Sequence, residues 1–237
     1  GRRVDPRPTE PILMCSTFKA MSAAFGLSRV DRNEEKLDRR VRFSQHDLVT
    51  YSPGTESNAG ERGMTLAEIC EAAVTLSDNT AGNLMLASFG GPPGLTSFFR
   101  SLGDQVSRLD RVELALNTRD GVDDVRDTTT AAAMLQNLYR LFFTDVLSPR
   151  SRSQLAAWLI ANKTGDARLR AGFPNTWLVG DKTGTNGDKD GNANDIAVAW
   201  PPDRAPVIVT AFCELPGISA GQRNAVIAEI GRIAAKV

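Results

Sequence analysis

The chain has 237 residues, enough for one large domain or two lobes. Its 28 basic and 28 acidic residues cancel to a formal net charge of zero, so no electrostatic case exists for nucleic acid or an anionic membrane as partner. Hydrophobic residues make up 41%, as in a soluble globular protein, and no apolar run approaches the roughly 18 residues that span a bilayer.

The start, "GRRVDPRPTEPIL", is rich in proline and arginine and reads as an extended segment or edge strand. "STFKAMSAAFGL" reads as a helix from Ser16 closed near Gly26. Residues 28–63 are polar and read as irregular. "TLAEICEAAVTL" carries a capping box, Thr65 to Glu68, ahead of an apolar helix. "TAGNLMLASF" is the next helix, after the break at "SDN". "PPGLTSFFRSLG" follows, with proline at its start and Gly103 past its end. Residues 104–128 are crowded with charge and broken by Gly121, and they read as a long surface loop. "TTAAAMLQNLYRLFF" and "PRSRSQLAAWLIAN" are two further amphipathic helices. After Asn162 the pattern changes. "TWLVGDKT", "DIAVAW" and "APVIVTAFCEL" are short β-rich runs spaced for antiparallel hairpins, and "AGQRNAVIAEIGRIAAKV" closes the chain as a helix. Helices in the middle and strands late predict an α+β fold: an antiparallel sheet flanked by helices, plus a mainly helical lobe.

The cysteines, Cys15, Cys70 and Cys213, lie far apart and form no CxxC pair, so neither a metal nor a redox motif is expected. The single histidine, His46, cannot build a His-rich metal site. A Ser-His-Asp triad needs only one histidine, so that hydrolase reading stays in view.

Ser16-Thr17-Phe18-Lys19 is an S-x-x-K. Positions three apart share a helix face, so the lysine amine can reach the serine hydroxyl and take its proton. Unpaired backbone N–H groups at a helix start could serve an oxyanion. Alone this motif is weak, since ordinary composition gives roughly one per chain of this length. Ser77-Asp78-Asn79 sits between two apolar helices and would also serve as a helix cap. Lys-Thr-Gly occurs twice. Lys163-Thr164-Gly165 follows a helix, where Asn162 and Gly165 read as its termination. Lys182-Thr183-Gly184 follows a strand, from which Lys182, Thr183 and Thr185 can present donors to a substrate. Position favours the second copy.

S-x-x-K, S-D-N and K-T-G in this order are shared by class A β-lactamases and penicillin-binding proteins. The chain resembles a class A serine β-lactamase from residue 1 to 237, most closely in "MCSTFK", "SDNTAGN" and "GDKTGT". "RVELALN" is similar to the family's Ω-loop, here about residues 108–128. The resemblance makes Glu113 the base that activates water and Asn117 the ligand of that water. Arg111 and Asp127 match the ion pair that closes the loop's neck.

The resemblance implies an α/β lobe of residues 1–14 and 162–237, a helical lobe of 15–161, and an active site between them. Ser16 would attack a β-lactam carbonyl, with Lys19 or Glu113, through a water, taking its proton. The N–H groups of Ser16 and Thr185 would form the oxyanion hole. Ser77, held by Lys182, would protonate the leaving ring nitrogen. Asn79 would bind the acylamide. Thr183, Gly184 and Thr185 line the strand side of the pocket, and Arg168, or alternatively Arg170, would join Thr183 and Thr185 in receiving the carboxylate. Tyr51 matches the aromatic that walls the pocket, and Thr164 falls at its rim. The implied function is antibiotic resistance by β-lactam hydrolysis through a serine acyl-enzyme, in a periplasmic or secreted monomer without cofactor or metal. A penicillin-binding sensor that acylates without turnover and a D-alanyl-D-alanine peptidase share the three motifs.

The chain also departs from the family pattern. The loop at 186–195 reads as about two residues longer than the commoner pattern. Leu114 follows Glu113 where proline is frequent, which weakens the usual argument for a cis peptide there. Cys70 faces Ala23 at the position of a family disulfide partner, and Cys15 faces Asn186, so neither bridge is expected. The resemblance begins after the family's N-terminal helix and first strand, so the sheet is expected to lack an inner strand beside its last one.

Overall fold

A computed structural model describes residues 7–121, 123–187 and 190–236 of the chain. The first six residues of the extended start, Val122 of the long loop, and Asp188 and Lys189 of the loop at 186–195 lie outside them. What is described of the start is a short strand, β1 (Ile12–Leu13), paired antiparallel with β4 (Thr128–Thr129). This pairing fastens the approach to Ser16 to the exit of the long loop.

The helix read from Ser16 begins later and runs further than its sequence signals suggest. Ser16 occupies a 3₁₀ turn, Cys15–Thr17, and α1 follows as Phe18–Asp31. Gly26 does not stop it. A Cβ at that position would lie 2.7 Å from the Phe89 ring, so this glycine admits a neighbouring aromatic inside the helix rather than capping it. Residues 28–63, read as irregular, contain β2 (Arg40–Phe43) and the start of β3 (Gly60–Thr65), paired antiparallel with a bulge between Val41 and Phe43. Two exposed arginines in "RVRF" hide the strand, yet its alternation puts Phe43 inside.

The expected capping box starts α2 (Leu66–Thr75). Thr65 Oγ1 accepts from the Glu68 N–H at 3.2 Å, and Glu68 Oε2 accepts from the Thr65 N–H at 2.7 Å. The next helices are α3 (Asn79–Ser88), α4 (Gly91–Ser101), α5 (Ala131–Phe143) and α6 (Pro149–Ile160). Their apolar faces, with those of α1 and α2, form one core around Phe18, Met21, Ile69, Met85, Phe99 and Leu138.

A short helix α7 (Leu169–Gly172) leads into the sheet, β5 (Leu178–Thr185), β6 (Asn192–Trp200) and β7 (Val207–Glu214), and α8 (Ala220–Ala234) closes the chain. The strands lie antiparallel in the order β5-β6-β7, and among the described residues β7 has β6 as its ladder partner. Side chains on β6 alternate between two cores. Ile196 and Val198 join the helical core, whereas Ala193, Ala197 and Ala199 face a smaller one with Val209, Leu169 and Ile227. The small alanines let α8 lie close to the sheet. The chain is thus α+β, with an antiparallel sheet flanked by helices.

Candidate active site

The turn at Ser16 and the first turn of α1 put Lys19 under the serine. Lys19 Nζ donates to Ser16 Oγ at 2.9 Å, to Asn79 Oδ1 at 2.6 Å and to the Ser77 carbonyl at 2.9 Å. It also lies 2.9 Å from Glu113 Oε1, with both side chains fully buried. Burial pushes the lysine's pKa below its usual value, and the charge of Glu113 opposes that shift. Ser16 Oγ donates to Glu113 Oε1 at 3.3 Å. An ammonium has three N–H donors for four oxygens, whereas a neutral amine has two donors and a lone pair. In the first state Glu113 is the acceptor open to the serine proton. In the second the Lys19 lone pair is open to it as well.

Ser77, Asp78 and Asn79 form the junction between α2 and α3. Ser77 has a left-handed φ of 59°, which turns the chain sharply there. Asp78 fixes the junction. Its carboxylate accepts from the Ala81 N–H at the helix start and from the N–H groups of Gly54 and Thr55. Asn79 Nδ2 donates to the Thr50 carbonyl at 2.8 Å, and the Asn79 N–H donates to the Tyr51 carbonyl. Tyr51, itself at φ 67°, is 57% exposed and stands beside the cleft.

The long loop carries a 3₁₀ turn, Ala115–Asn117, just after Glu113. Asn117 Nδ2 donates to Glu113 Oε2 at 2.6 Å. The peptide joining Glu113 to Leu114 is cis, although no proline is present. At the neck, Arg111 Nε pairs with the buried Asp127 carboxylate at 2.5 Å, and Asp127 Oδ1 accepts from the N–H groups of Asp110 and Arg111. The sequence reading did not single out Asn83. Its Oδ1 accepts from the Glu113 N–H at 2.8 Å, and its Nδ2 donates to the Glu113 carbonyl at 3.0 Å. Asn83 lies four residues after Asn79 on α3, so the shared helix face was a signal that could have found it.

Strand β5 supplies the facing wall. Lys182 is fully buried and Nζ donates to Ser77 Oγ at 3.0 Å. Thr183 Oγ1 and Thr164 Oγ1 are 2.6 Å apart. At Gly184 a Cβ would lie 2.7 Å from the Met14 carbonyl oxygen and 3.2 Å from the Cys15 Cβ, so only glycine lets the strand lie against the Ser16 turn. Arg168 NH2 donates to Thr185 Oγ1 at 2.7 Å, and its NH1 donates to the carbonyls of Gly184 and Asn194. Arg170, the alternative to Arg168, pairs instead with the buried Asp181 behind β5.

Together these walls enclose a cleft of about 650 Å³, lined by Ser16, Tyr51, Ser77, Asn79, Asn117, Thr164, Arg168, Thr183 and Thr185. The rim adds Leu114, Thr118, Asn186, Gly187 and Asp190, most of which lack a motif of their own. His46 is exposed on a separate 3₁₀ turn, Gln45–Asp47, so no Ser16-His46 pair forms. Lys163 is exposed, and its N–H donates to the Thr75 carbonyl. The three cysteines are free thiols. Among the described residues no group of three His, Cys, Asp or Glu side chains is placed to hold a metal ion.

The model of the "Beta-lactamase enzyme family" matches residues 1–237. This chain belongs to the class A serine β-lactamases. It is 48% identical over 235 residues to β-lactamase L2 of Stenotrophomonas maltophilia, covering 99% of this chain and 76% of that protein. It is 46% identical over 233 residues to β-lactamase AST-1 of Nocardia asteroides, covering 98% of this chain and 74% of that one. The solved structure of an ancestral class A β-lactamase, GNCA, superposes with a TM-score of 0.95 at 57% identity, over 100% of this chain and 89% of that one. This β-lactamase hydrolyses the β-lactam ring and thereby confers antibiotic resistance. The Ser-His-Asp reading of His46 falls with that assignment. Among the described residues no helix is long and apolar enough to cross a membrane.

Proposed function

We propose that this β-lactamase acts through an acyl-enzyme on Ser16. Ser16 Oγ attacks the lactam carbonyl, the ring C–N bond breaks, and the serine proton passes to Lys19 or Glu113. The N–H groups of Ser16 and Thr185 hold the oxyanion; losing one such donor costs about 2.7–4 kcal/mol in other enzymes. Ser77, with Lys182 donating to its hydroxyl, delivers a proton to the ring nitrogen. In the second half, Glu113 takes a proton from a water that Asn117 helps to hold. The water oxygen bonds to the ester carbon, the bond to Ser16 Oγ breaks, and the serine regains its proton.

Asn79 binds the acylamide of the substrate, Tyr51 walls it, and Thr183, Thr185 and Arg168 receive the carboxylate, with Gly184 bringing the strand within reach. The cleft divides an α/β lobe, residues 1–14 and 162–237, from a helical lobe, 15–161. The substrate is a small-molecule β-lactam met by a monomer in the periplasm or outside the cell, and the chemistry needs neither metal nor cofactor. The observation that carries this reading is the convergence of Lys19 Nζ on Ser16, Asn79 and Glu113 within 2.9 Å. The test is hydrolysis of a chromogenic cephalosporin by the protein and by Ser16→Ala. Loss of turnover in the folded variant is expected, and retained turnover would sink the role of Ser16.

A further inference from the structure

Three consecutive residues beyond Glu113, Asn117 at the end of the 3₁₀ turn and Thr118 and Arg119 just after it, are each fastened from outside that stretch. The Asn117 carbonyl accepts from Asn186 Nδ2 at 3.1 Å, while the Asn117 side chain holds Glu113. The Thr118 carbonyl accepts from Arg111 NH2 at 2.6 Å, a tie within the loop's own neck. Arg119 NH2 donates to the Pro11 carbonyl at 2.7 Å, ahead of β1, and its NH1 lies 3.7 Å from Glu214 Oε2 at the end of β7. Two of these ties, through Asn186 and Arg119, join the loop to the sheet side of the molecule.

Asn186 is itself rigidly held. Its Oδ1 accepts from the Asn192 N–H at 2.7 Å, and its Nδ2 donates to Asn192 Oδ1 at 2.7 Å as well as to Asn117. A backbone N–H on one side and a backbone carbonyl on the other admit only one orientation of the carboxamide. Asn192 is fully buried in β6, so the chain of contacts runs from the sheet core through Asn186 and Asn117 to the Glu113 carboxylate. The described partners of Asn186 and Arg119 are Asn117, Asn192, Pro11 and Glu214, not Ser16 or Lys19.

We propose that Asn186 and Arg119 are positioning residues for release of the acyl-enzyme. They clamp residues 117–119 to the sheet and so set where Glu113 and Asn117 present a water. Formation of the acyl-enzyme is the less affected half, because a neutral Lys19, whose Nζ lies 2.9 Å from Ser16 Oγ, offers its lone pair as a second acceptor for the serine proton. Misplacement of reacting groups by about 1 Å can cost about a hundredfold, so loss of one tie, with the other still in place, is expected to slow release by about tenfold. This inference rests on the roles given above to Ser16 and Glu113.

The test uses Asn186→Asp, which keeps its size and its acceptor for the Asn192 N–H but cannot donate to Asn117, and Arg119→Met, which keeps the stem without the donors. Stopped-flow measurement with a chromogenic cephalosporin separates formation from release, and intact mass follows the adduct on Ser16. The expected result is release slowed about tenfold, with formation within about threefold of the parent. When release limits turnover, kcat and KM fall together and kcat/KM stays level; a merely destabilised enzyme would lose kcat at constant KM. Equal slowing of both steps, or unchanged release in a folded variant, overturns the proposal. Should Asn186→Asp not fold, Asn186→Ala and Arg119→Met give the same readout. A parent protein that forms no Ser16 adduct would instead overturn the proposed roles in the reaction. Normal parent turnover with unaltered variants would overturn the clamp alone.

Discussion

Lys182 Nζ donates to Ser77 Oγ at 3.0 Å from a position with no solvent exposure. Burial, reinforced by the positive charge of Lys19, pushes the Lys182 pKa from 10.5 down to about 7. The buried amine is therefore a group that changes charge near neutrality in the free enzyme.

The first prediction is a pH profile. If the cation is what holds Ser77 and the substrate carboxylate, kcat/KM, which reports the free enzyme, falls as pH rises through about 7. Arginine stays protonated, so Lys182→Arg should move that limb upward by about two pH units or more, at a lower maximum. A limb that stays where it was would remove Lys182 as its source. Stability carries the opposite sign. Above about 7 the native lysine has lost its proton while the unfolded one keeps it to about 10.4, so native stability rises with pH across that window. Melting temperatures of the parent and Lys182→Met, measured from about pH 6 to about pH 9, should shift in the parent's favour as pH rises.

Glu113→Ala removes the carboxylate that lies 3.3 Å from Ser16 Oγ and 2.6 Å from Asn117 Nδ2. Lys19 remains beside the serine, so acylation should continue while hydrolysis of the ester slows by about 10²–10⁴-fold. Intact mass spectrometry after mixing with a penicillin should show a long-lived adduct on Ser16. Rapid loss of that adduct would mean that another group activates the water.

The two Lys-Thr-Gly copies predict opposite outcomes. Lys182 is buried against Ser77, whereas Lys163 is exposed and its backbone N–H donates to the Thr75 carbonyl. Lys182→Ala should cut kcat/KM by about a hundredfold or more, and Lys163→Ala should change it by less than about twofold. Similar losses in both variants would defeat the argument from position on a strand.

How much of this was legible before the structure depends on how local each signal was. The capping box at Thr65, the α2–α6 periodicities and the three late strands were readable because their determinants lie within a few residues. β2 was lost because its two outward residues are arginines and only Val41 and Phe43 carry the alternation. α1 was read too short because Gly26 looks like a stop in sequence, and only the distant Phe89 ring explains it. The site motifs gave Ser16, Lys19, Ser77, Asn79 and Lys182 by type and order. Asn83 carried a signal in the helix face that it shares with Asn79, although its partner lies 30 residues away on the loop; Asn186 and Arg119 carried none, because their partners lie 69 and 108 residues away and their contacts exist only once the loop is laid against the sheet side.

Gly184 offers a test of how tightly the sheet must meet the Ser16 turn. The Cβ of an alanine there would stand 2.7 Å from the Met14 carbonyl oxygen and 3.1 Å from Thr17 Cγ2. The first is backbone and cannot swing aside, so either β5 or the turn must move by several tenths of an ångström. Thr185, the next residue, is the proposed second oxyanion donor, and Arg168 bonds to both the Gly184 carbonyl and Thr185 Oγ1. Gly184→Ala should therefore lower the acylation rate by about 10–100-fold, out of proportion to a stability loss of about 1–3 kcal/mol. Measurement of the acylation rate beside urea unfolding would separate the two effects. A variant that loses stability but acylates at the parent rate would show that the strand tolerates the shift, and that the oxyanion donors are set by other contacts.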